Sequence, residues 1–266
     1  MADERTFGSY EIEQWLATGG MAEIFRARRV GVAGFARRVC IKRILPNLLD
    51  QRDFIEMFID EARIGAQLRH GNIVAIDDFG EVEGRYFLCM EYVAGADLAL
   101  IMNAVADGGR LLPFDVAAYV ATEVLKALDY AHRKLGADGH PLEVVHRDVS
   151  PQNVLVSYSG EVKLTDFGIA RAASRLHQTV GDVVKGKLSY MAPEQARGGL
   201  LDGRVDLFAL GVVFFEMLAG RRPFVRAREA ELIDALLRGK RPRIEELRPD
   251  VPPVLARVVD RLLEID

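Results

Sequence analysis

The 266-residue sequence predicts an α+β fold in two lobes, and three observations carry the prediction. Residues 10–92 show period-two alternation broken by one helical stretch. After Gly95 the apolar residues recur at helical spacing instead. Half of all residues are hydrophobic, enough to bury a substantial core in one large domain or two lobes.

Strands are expected at 10–15, 23–27, 38–43, 73–79 and 86–91, because β-branched and aromatic residues alternate there between turn formers. A helix is expected over 53–68, where Phe54, Met57 and Phe58 form one stripe and Glu61 falls on that same stripe. In the second half, 113–135 carries Val120, Val124, Leu125 and Leu128 at helical spacing. Residues 206–218 are nearly all apolar, and 230–237 and 254–263 are amphipathic. The expected organisation is a lead at 1–9, a small antiparallel-sheet lobe with one main helix at 10–92, a connection at 93–97 and a larger, mainly helical lobe at 98–266. The stretch 134–141, rich in Gly, Asp and Pro, reads as an exposed loop.

A formal charge of −4 argues against a general nucleic-acid binder, and the runs Arg26 to Arg29 with Arg37-Arg38 read as solvated faces. Cys40 and Cys89 lie in apolar strand-like segments, as buried thiols of a reducing compartment rather than a disulfide or zinc framework. No stretch of about 18 residues is apolar enough to span a membrane. The expectation is therefore a cytoplasmic chain without membrane contact of its own, which still allows it to be the cytosolic part of a longer, membrane-anchored protein.

The chemistry is carried by His146-Arg147-Asp148-Val149-Ser150-Pro151-Gln152-Asn153 and, after a hairpin signal, Asp166-Phe167-Gly168. Asp148 suits the orientation and deprotonation of a hydroxyl, while Asn153 and Asp166 offer hard oxygen ligands to Mg²⁺ beside a triphosphate. Each triplet alone would pass for accident. Their order on a readable strand-turn-strand does not. Glu61, on the inward face of its helix, requires a partner, and alternation along Val39-Cys40-Ile41-Lys42 can turn Lys42 inward to supply one. A purely structural ion pair is the plain alternative. The stretch Leu16-Ala17-Thr18-Gly19-Gly20-Met21-Ala22-Glu23-Ile24 is either a plain hairpin turn or a loop whose backbone approaches phosphate.

Together with Met191-Ala192-Pro193-Glu194 and Asp206, which alone would read as a helix N-cap, these motifs run in order from residue 10 to 220. They resemble the protein kinase superfamily, most closely the bacterial eukaryotic-like Ser/Thr kinases. The resemblance implies a bilobal kinase fold that transfers phosphate from ATP, with Mg²⁺ or in its place Mn²⁺, to Ser/Thr hydroxyls of protein substrates. Lys42 would hold the α- and β-phosphates and Glu61 would hold Lys42. Leu16, Gly19, Gly20, Met21, Ala22 and Ile24 would form the loop over the nucleotide. Met90 would wall the adenine pocket, the backbone of Glu91 and Val93 would bond the base, Cys40 and Leu155 would sandwich it, and Asp97 would lie near the ribose. Arg147 would pair with a phosphorylated activation-segment residue, Thr179 first and Ser174 second. The alternatives are a nucleotide-binding pseudokinase or scaffold, against which Lys42, Glu61, Asp148, Asn153 and Asp166 stand together, and a small-molecule phosphotransferase, which should lack Ala192-Pro193-Glu194.

Several departures from the family pattern are informative. Ser150 stands where the family has a lysine that steadies the transferring phosphate, and Lys187 stands where it has a threonine. The exchange looks reciprocal, so Lys187 is expected to act at Asp148 and the γ-phosphate. Gly65, one turn after Glu61, replaces a larger apolar residue and is expected to leave a gap that loosens the Lys42–Glu61 pair. Glu194 normally pairs with an arginine in the closing helices, and the sequence stops at Asp266 just before its place, which suggests a catalytic domain cut from a longer protein.

Overall fold

The computed structural model describes residues 6–31, 34–167, 188–226 and 228–265. The chain divides into two compact units, Met1–Ala94 and Gly95–Asp266.

The first unit is a six-stranded antiparallel sheet of order β1-β2-β3-β4-β6-β5. Its strands are β1 (Thr6–Phe7), β2 (Tyr10–Thr18), β3 (Ala22–Val30), β4 (Ala36–Ile44), β5 (Ile76–Val82) and β6 (Arg85–Glu91), with helix α1 (Arg52–Gly65) between β4 and β5. One face of the sheet packs Phe7, Tyr10, Ala27, Val39, Ile41, Phe87 and Cys89 into a core. Phe7 belongs to the stretch expected to be a mere lead; its ring meets Phe87 edge-on at 5.3 Å, and β1 pairs with β2. The strand expected from 73 begins only at Ile76, since Ile73 and Val74 are buried outside the ladder and a register shift follows between Ile76 and Asp78. Both cysteines are free thiols, and burial pushes the Cys89 thiol up from its ordinary pKa.

The second unit holds a small sheet of order β7-β8-β9, with β7 (Gly95–Asp97), β8 (Val154–Ser157) and β9 (Val162–Leu164). Among the described residues its helices are α2 (Leu98–Asp107), α3 (Phe114–His132), α4 (Pro193–Arg197), α5 (Arg204–Ala219), α6 (Glu229–Leu237), α7 (Ile244–Leu247) and α8 (Pro253–Leu262). Helix α5 is apolar all round, and twelve of its residues are buried, as a helix at the centre of a unit must be. The sequence pattern did not flag α2, because its apolar residues are continuous rather than periodic and of them only Leu98 is buried. The connection at 134–141 is ordered by main-chain bonds: Gly136 N donates to His140 O at 2.8 Å and Leu142 N to Lys134 O at 2.8 Å.

The gap expected at Gly65 does not exist. Met57, Phe58, Glu61, Ala62 and Gly65 form the buried stripe of α1, and the space beside Gly65 holds Ile76 of β5. A Cβ at position 65 would run into Ile76 Cδ1 and stand 3.2 Å from its Cγ1. A residue eleven positions downstream has supplied the missing side chain from another element. Gly65→Leu is therefore expected to lower stability by about 1–3 kcal/mol through overpacking, despite its better helix propensity. Ile76→Ala in the same chain should recover part of the loss in a urea titration. A Gly65→Leu protein that unfolds at higher urea than the parent would mean the space is open after all.

Candidate active site

The chemistry-bearing residues of the first unit share one face of its sheet. Strand register sets Ile24 opposite Lys42 and Lys42 opposite Leu88, with Cys40 opposite Met90 in the next such row. Lys42 is 5% exposed and its Nζ stands 2.7 Å from Glu61 Oε1, with Glu61 2% exposed. The pair expected to be loose is thus made, inside the unit. At the β2–β3 turn Gly19 N donates to Ala22 O at 2.8 Å. A Cβ on Gly19 would come no nearer to a neighbour than 3.7 Å, and one on Gly20 would meet nothing within 4 Å. Neither glycine has a positive φ, so nothing in the fold itself requires them. Their bare backbone fits a loop that a phosphate approaches closely. Leu16 is exposed on β2, Met21 is half-buried and Ala22 buried in that turn, and Met90 is buried on β6. Glu91 N donates to Ala75 O at 2.9 Å, and Val93 follows, half-buried.

In the second unit the organising group is Asp206, fully buried in the first turn of α5. It is not a cap. Its Oδ2 accepts the His146 amide at 2.8 Å and lies 2.8 Å from His132 Nε2, while Oδ1 accepts the Arg147 amide at 2.7 Å. Three donors on two oxygens offset the cost of burying the carboxylate. They also hold Arg147 at φ +67°, a conformation non-glycine residues adopt only when the surroundings impose it. The His146 ring continues the network: Nδ1 accepts the Asp148 amide at 3.2 Å, and Nε2 donates to Thr165 O at 2.8 Å. Thr165 immediately precedes Asp166, itself at φ +63°. The rings of His146 and Phe167 stand 4.5 Å apart, edge to face.

Asn153 closes the arrangement from a 3₁₀ turn at Pro151–Asn153. Its Nδ2 donates to Asp148 O at 2.7 Å and to Asp148 Oδ2 at 3.2 Å, which fixes the amide and leaves Oδ1 as the atom a cation can use. Thr165 N donates to Asn153 O at 3.0 Å, so the Asp148 loop and the Asp166 strand are tied together. Leu155 lies on β8 opposite Asp97 of β7, and Asp97 Oδ1 caps α2 by accepting the Leu100 amide at 2.8 Å. Ser150, two residues after Asp148, is 1% exposed, and its Oγ has no hydrogen-bond partner among the described residues.

Sequence reasoning missed three supports. Gln195 Nε2 donates to Arg147 O at 3.1 Å while its Oε1 accepts the Ala192 amide at 2.9 Å, joining the 188–197 segment to the Asp148 loop. Its one sequence signal was a glutamine at the third position of a short helix beginning with proline. His132 carried no signal, because its partner is 74 residues away. Tyr190 donates to Glu216 Oε2 at 2.5 Å. Burial raises the pKa of both groups above their ordinary values, and Arg222, bonded to Ser189 Oγ at 3.0 Å, works against the rise. Glu194 makes no ion pair among the described residues. Gly168, Ser174, Thr179 and Lys187 lie outside the described residues.

The protein kinase domain family profile matches residues 10–265. The chain is 47% identical over 253 residues to tyrosine-protein kinase MasK of Myxococcus xanthus, covering 95% of this chain and 39% of that protein. It is 34% identical to serine/threonine-protein kinase PrkC of Bacillus subtilis, covering 96% and 37%. With serine/threonine-protein kinase PknA of Mycobacterium tuberculosis the identity is 37%, covering 97% and 56%. The crystal structure of the Mycobacterium tuberculosis PknI kinase domain superposes with a TM-score of 0.71 at 28% identity, covering 99% of this chain and 91% of that one. The chain spans about two fifths of the length of the first curated relatives it matches.

The Asp206 network generates a direct test. In Asp206→Asn one acceptor becomes a donor, so an amide N–H of His146 or Arg147 faces an N–H. Stability should fall by about 2–3 kcal/mol, and turnover should fall at least roughly tenfold as the Asp148 loop relaxes. Urea unfolding and steady-state kinetics on one preparation measure both. Wild-type values for both would remove Asp206 from this role.

Proposed function

This chain belongs to the protein kinase domain family, and on that premise we propose that it transfers the γ-phosphoryl group of ATP to serine and threonine hydroxyls of proteins, its own activation segment among them. The observation that carries the reading is the joint fixing of Asp148 and Asn153, with Asn153 Nδ2 2.7 Å from Asp148 O, on a loop bonded to the strand that leads into Asp166. A pseudokinase would have no need of that arrangement together with a made Lys42–Glu61 pair.

Catalysis on this reading is positioning and charge compensation. Lys42, aimed by Glu61, holds the α- and β-phosphates, and the backbone at Gly19 and Gly20 covers them. Leu16, Met21, Ala22 and Ile24 complete that loop, Met90 walls the adenine, Cys40 and Leu155 sandwich it, the backbone of Glu91 and Val93 bonds it, and Asp97 serves the ribose. Asn153 and Asp166 would hold the divalent ion. Mg²⁺, or Mn²⁺ in its place, supplies neutralisation of phosphate charge when bound. Asp148 orients the acceptor hydroxyl and takes its proton.

Radiolabel from ATP should appear on the protein itself and on a generic basic protein, but not on an aminoglycoside. Acid hydrolysis should release phosphoserine and phosphothreonine. Tyrosine as acceptor has one observation in its favour, the name of the relative at 47% identity, and phosphotyrosine as the main product would establish that class instead. Thr179, with Ser174 second, is proposed as the regulatory site read by Arg147. Thr179→Ala should lower both self-labelling and turnover, and an unchanged variant would refute the assignment.

Ser150 and Lys187 are proposed as an exchanged pair, with Lys187 bringing to Asp148 and the transferring phosphate the cation that position 150 lacks. The reading is supported by the buried Ser150 hydroxyl, which bonds no group among the described residues. Lys187→Thr alone should reduce kcat about a hundredfold, and adding Ser150→Lys should recover much of the loss. A harmless Lys187→Thr, or two changes that simply add, would dispose of the exchange.

A further inference from the structure

Between Arg28-Arg29 and Arg37-Arg38 the sequence reads Val30-Gly31-Val32-Ala33-Gly34-Phe35-Ala36, seven residues without a polar side chain. Turns in water are ordinarily built from Asn, Asp and Ser beside Gly and Pro. This one, joining β3 to β4, is not. Val32 and Ala33 lie outside the described residues. On either side of them Gly31 N donates to Phe35 O at 2.7 Å, and the flanking apolar side chains face solvent, Val30 44% and Phe35 71% exposed.

Below the tip the register sets Arg28 directly opposite Arg38 and Arg29 directly opposite Arg37. Like charges opposed across strands are unfavourable, and here they occur on both faces of the ribbon. The carboxylates of the same unit answer them incompletely. Arg28 has Glu11 at 2.5 Å and Arg37 has Asp77 at 3.3 Å, but Arg38 is 3.8 Å from Glu13 and Arg29 is 4.0 Å from Asp78. Glu13 already bonds Arg26 at 3.0 Å, and Asp78 accepts the Tyr10 hydroxyl at 3.0 Å. The four guanidinium side chains remain 48–67% exposed.

We propose that this hairpin docks on an anionic lipid surface, with Phe35 and Val30 entering the interfacial layer and Arg28, Arg29, Arg37 and Arg38 taking lipid phosphates. An apolar tip with a cationic collar combines the two signals that peripheral binding needs, burial and charge. A seven-residue turn is small beside the ~800 Å² per partner of a stable protein interface, whereas a lipid layer requires no matching pocket. No helix among the described residues is long and apolar enough to cross a membrane. Surface contact is a separate matter from spanning, and the exposure of these arginines, expected from sequence, leaves them open to it.

Co-sedimentation with vesicles tests this, comparing phosphatidylcholine alone with a phosphatidylcholine and phosphatidylglycerol mixture. The protein should partition onto the anionic vesicles, weakly onto the neutral ones, and less at high salt. Arg29→Gln and Arg38→Gln should each lower partitioning roughly fivefold, and Phe35→Ser at least as much. Melting temperature and phosphorylation of a soluble peptide should stay unchanged. If Phe35→Ser proves unstable, the two arginine variants carry the test alone. Equal binding to both vesicle types, or variants that bind anionic vesicles like the parent, would overturn the proposal. So would tighter binding to soluble polyglutamate than to vesicles, which would assign an acidic protein partner. Self-association abolished by Phe35→Ser, without lipid binding, would assign a second copy and equally overturn it.

Discussion

The geometry of the second unit depends on one buried carboxylate. Asp206 receives two backbone amides from the loop that carries Asp148, and it does so where that backbone takes a left-handed turn at Arg147. Without an acceptor there, two buried N–H groups would be unsatisfied and the turn would lose what imposes it. The effect travels further, because the His146 amide held by Asp206 places a ring that bonds the Asp148 amide on one side and the Thr165 carbonyl on the other. Asp148 and the residue before Asp166 thus stand on different elements yet share one anchor. That anchor sits on α5, the most deeply buried helix among the described residues of the unit, so the Asp148 loop is referenced to a well-packed part of the fold.

The Lys42–Glu61 pair of the first unit follows the same electrostatic rule to a different end. Burying both charges costs several kcal/mol of desolvation per ion, and an apolar pair of like volume is often neutral or more stabilising. The pair is thus poor evidence for stability and good evidence for positioning. Its scaffold is the packing of α1 on β5, where Ile76 fills the place that Gly65 vacates. Glycine at 65 weakens the helix locally, and the isoleucine opposite restores the packing. The inward face that carries Glu61 therefore stays closed, and the ammonium is held where it is 5% exposed.

How much of this was legible in the sequence follows from what a linear chain encodes. Alternation and helical spacing located strands β2 to β4 and β6, helix α1 and the central helix α5, because their signals are local. The Asp148, Asn153 and Asp166 motif was legible because its members lie within one hairpin's reach. What stayed hidden depends on register and on contacts across long separations. His132 and Asp206 are 74 positions apart, and nothing near either announces the other. Ile76 reads as an ordinary strand residue until β5 is laid on α1. Along the chain the basic runs are merely separated by an apolar turn. Pairing β3 with β4 converts them into two arginine pairs opposed across a ribbon with an exposed apolar tip. A run of like charge in one strand is easily hydrated; its mirror placed directly across the ladder is a cost the sheet bears continuously. The register, more than the composition, is what makes that hairpin a candidate for an anionic partner.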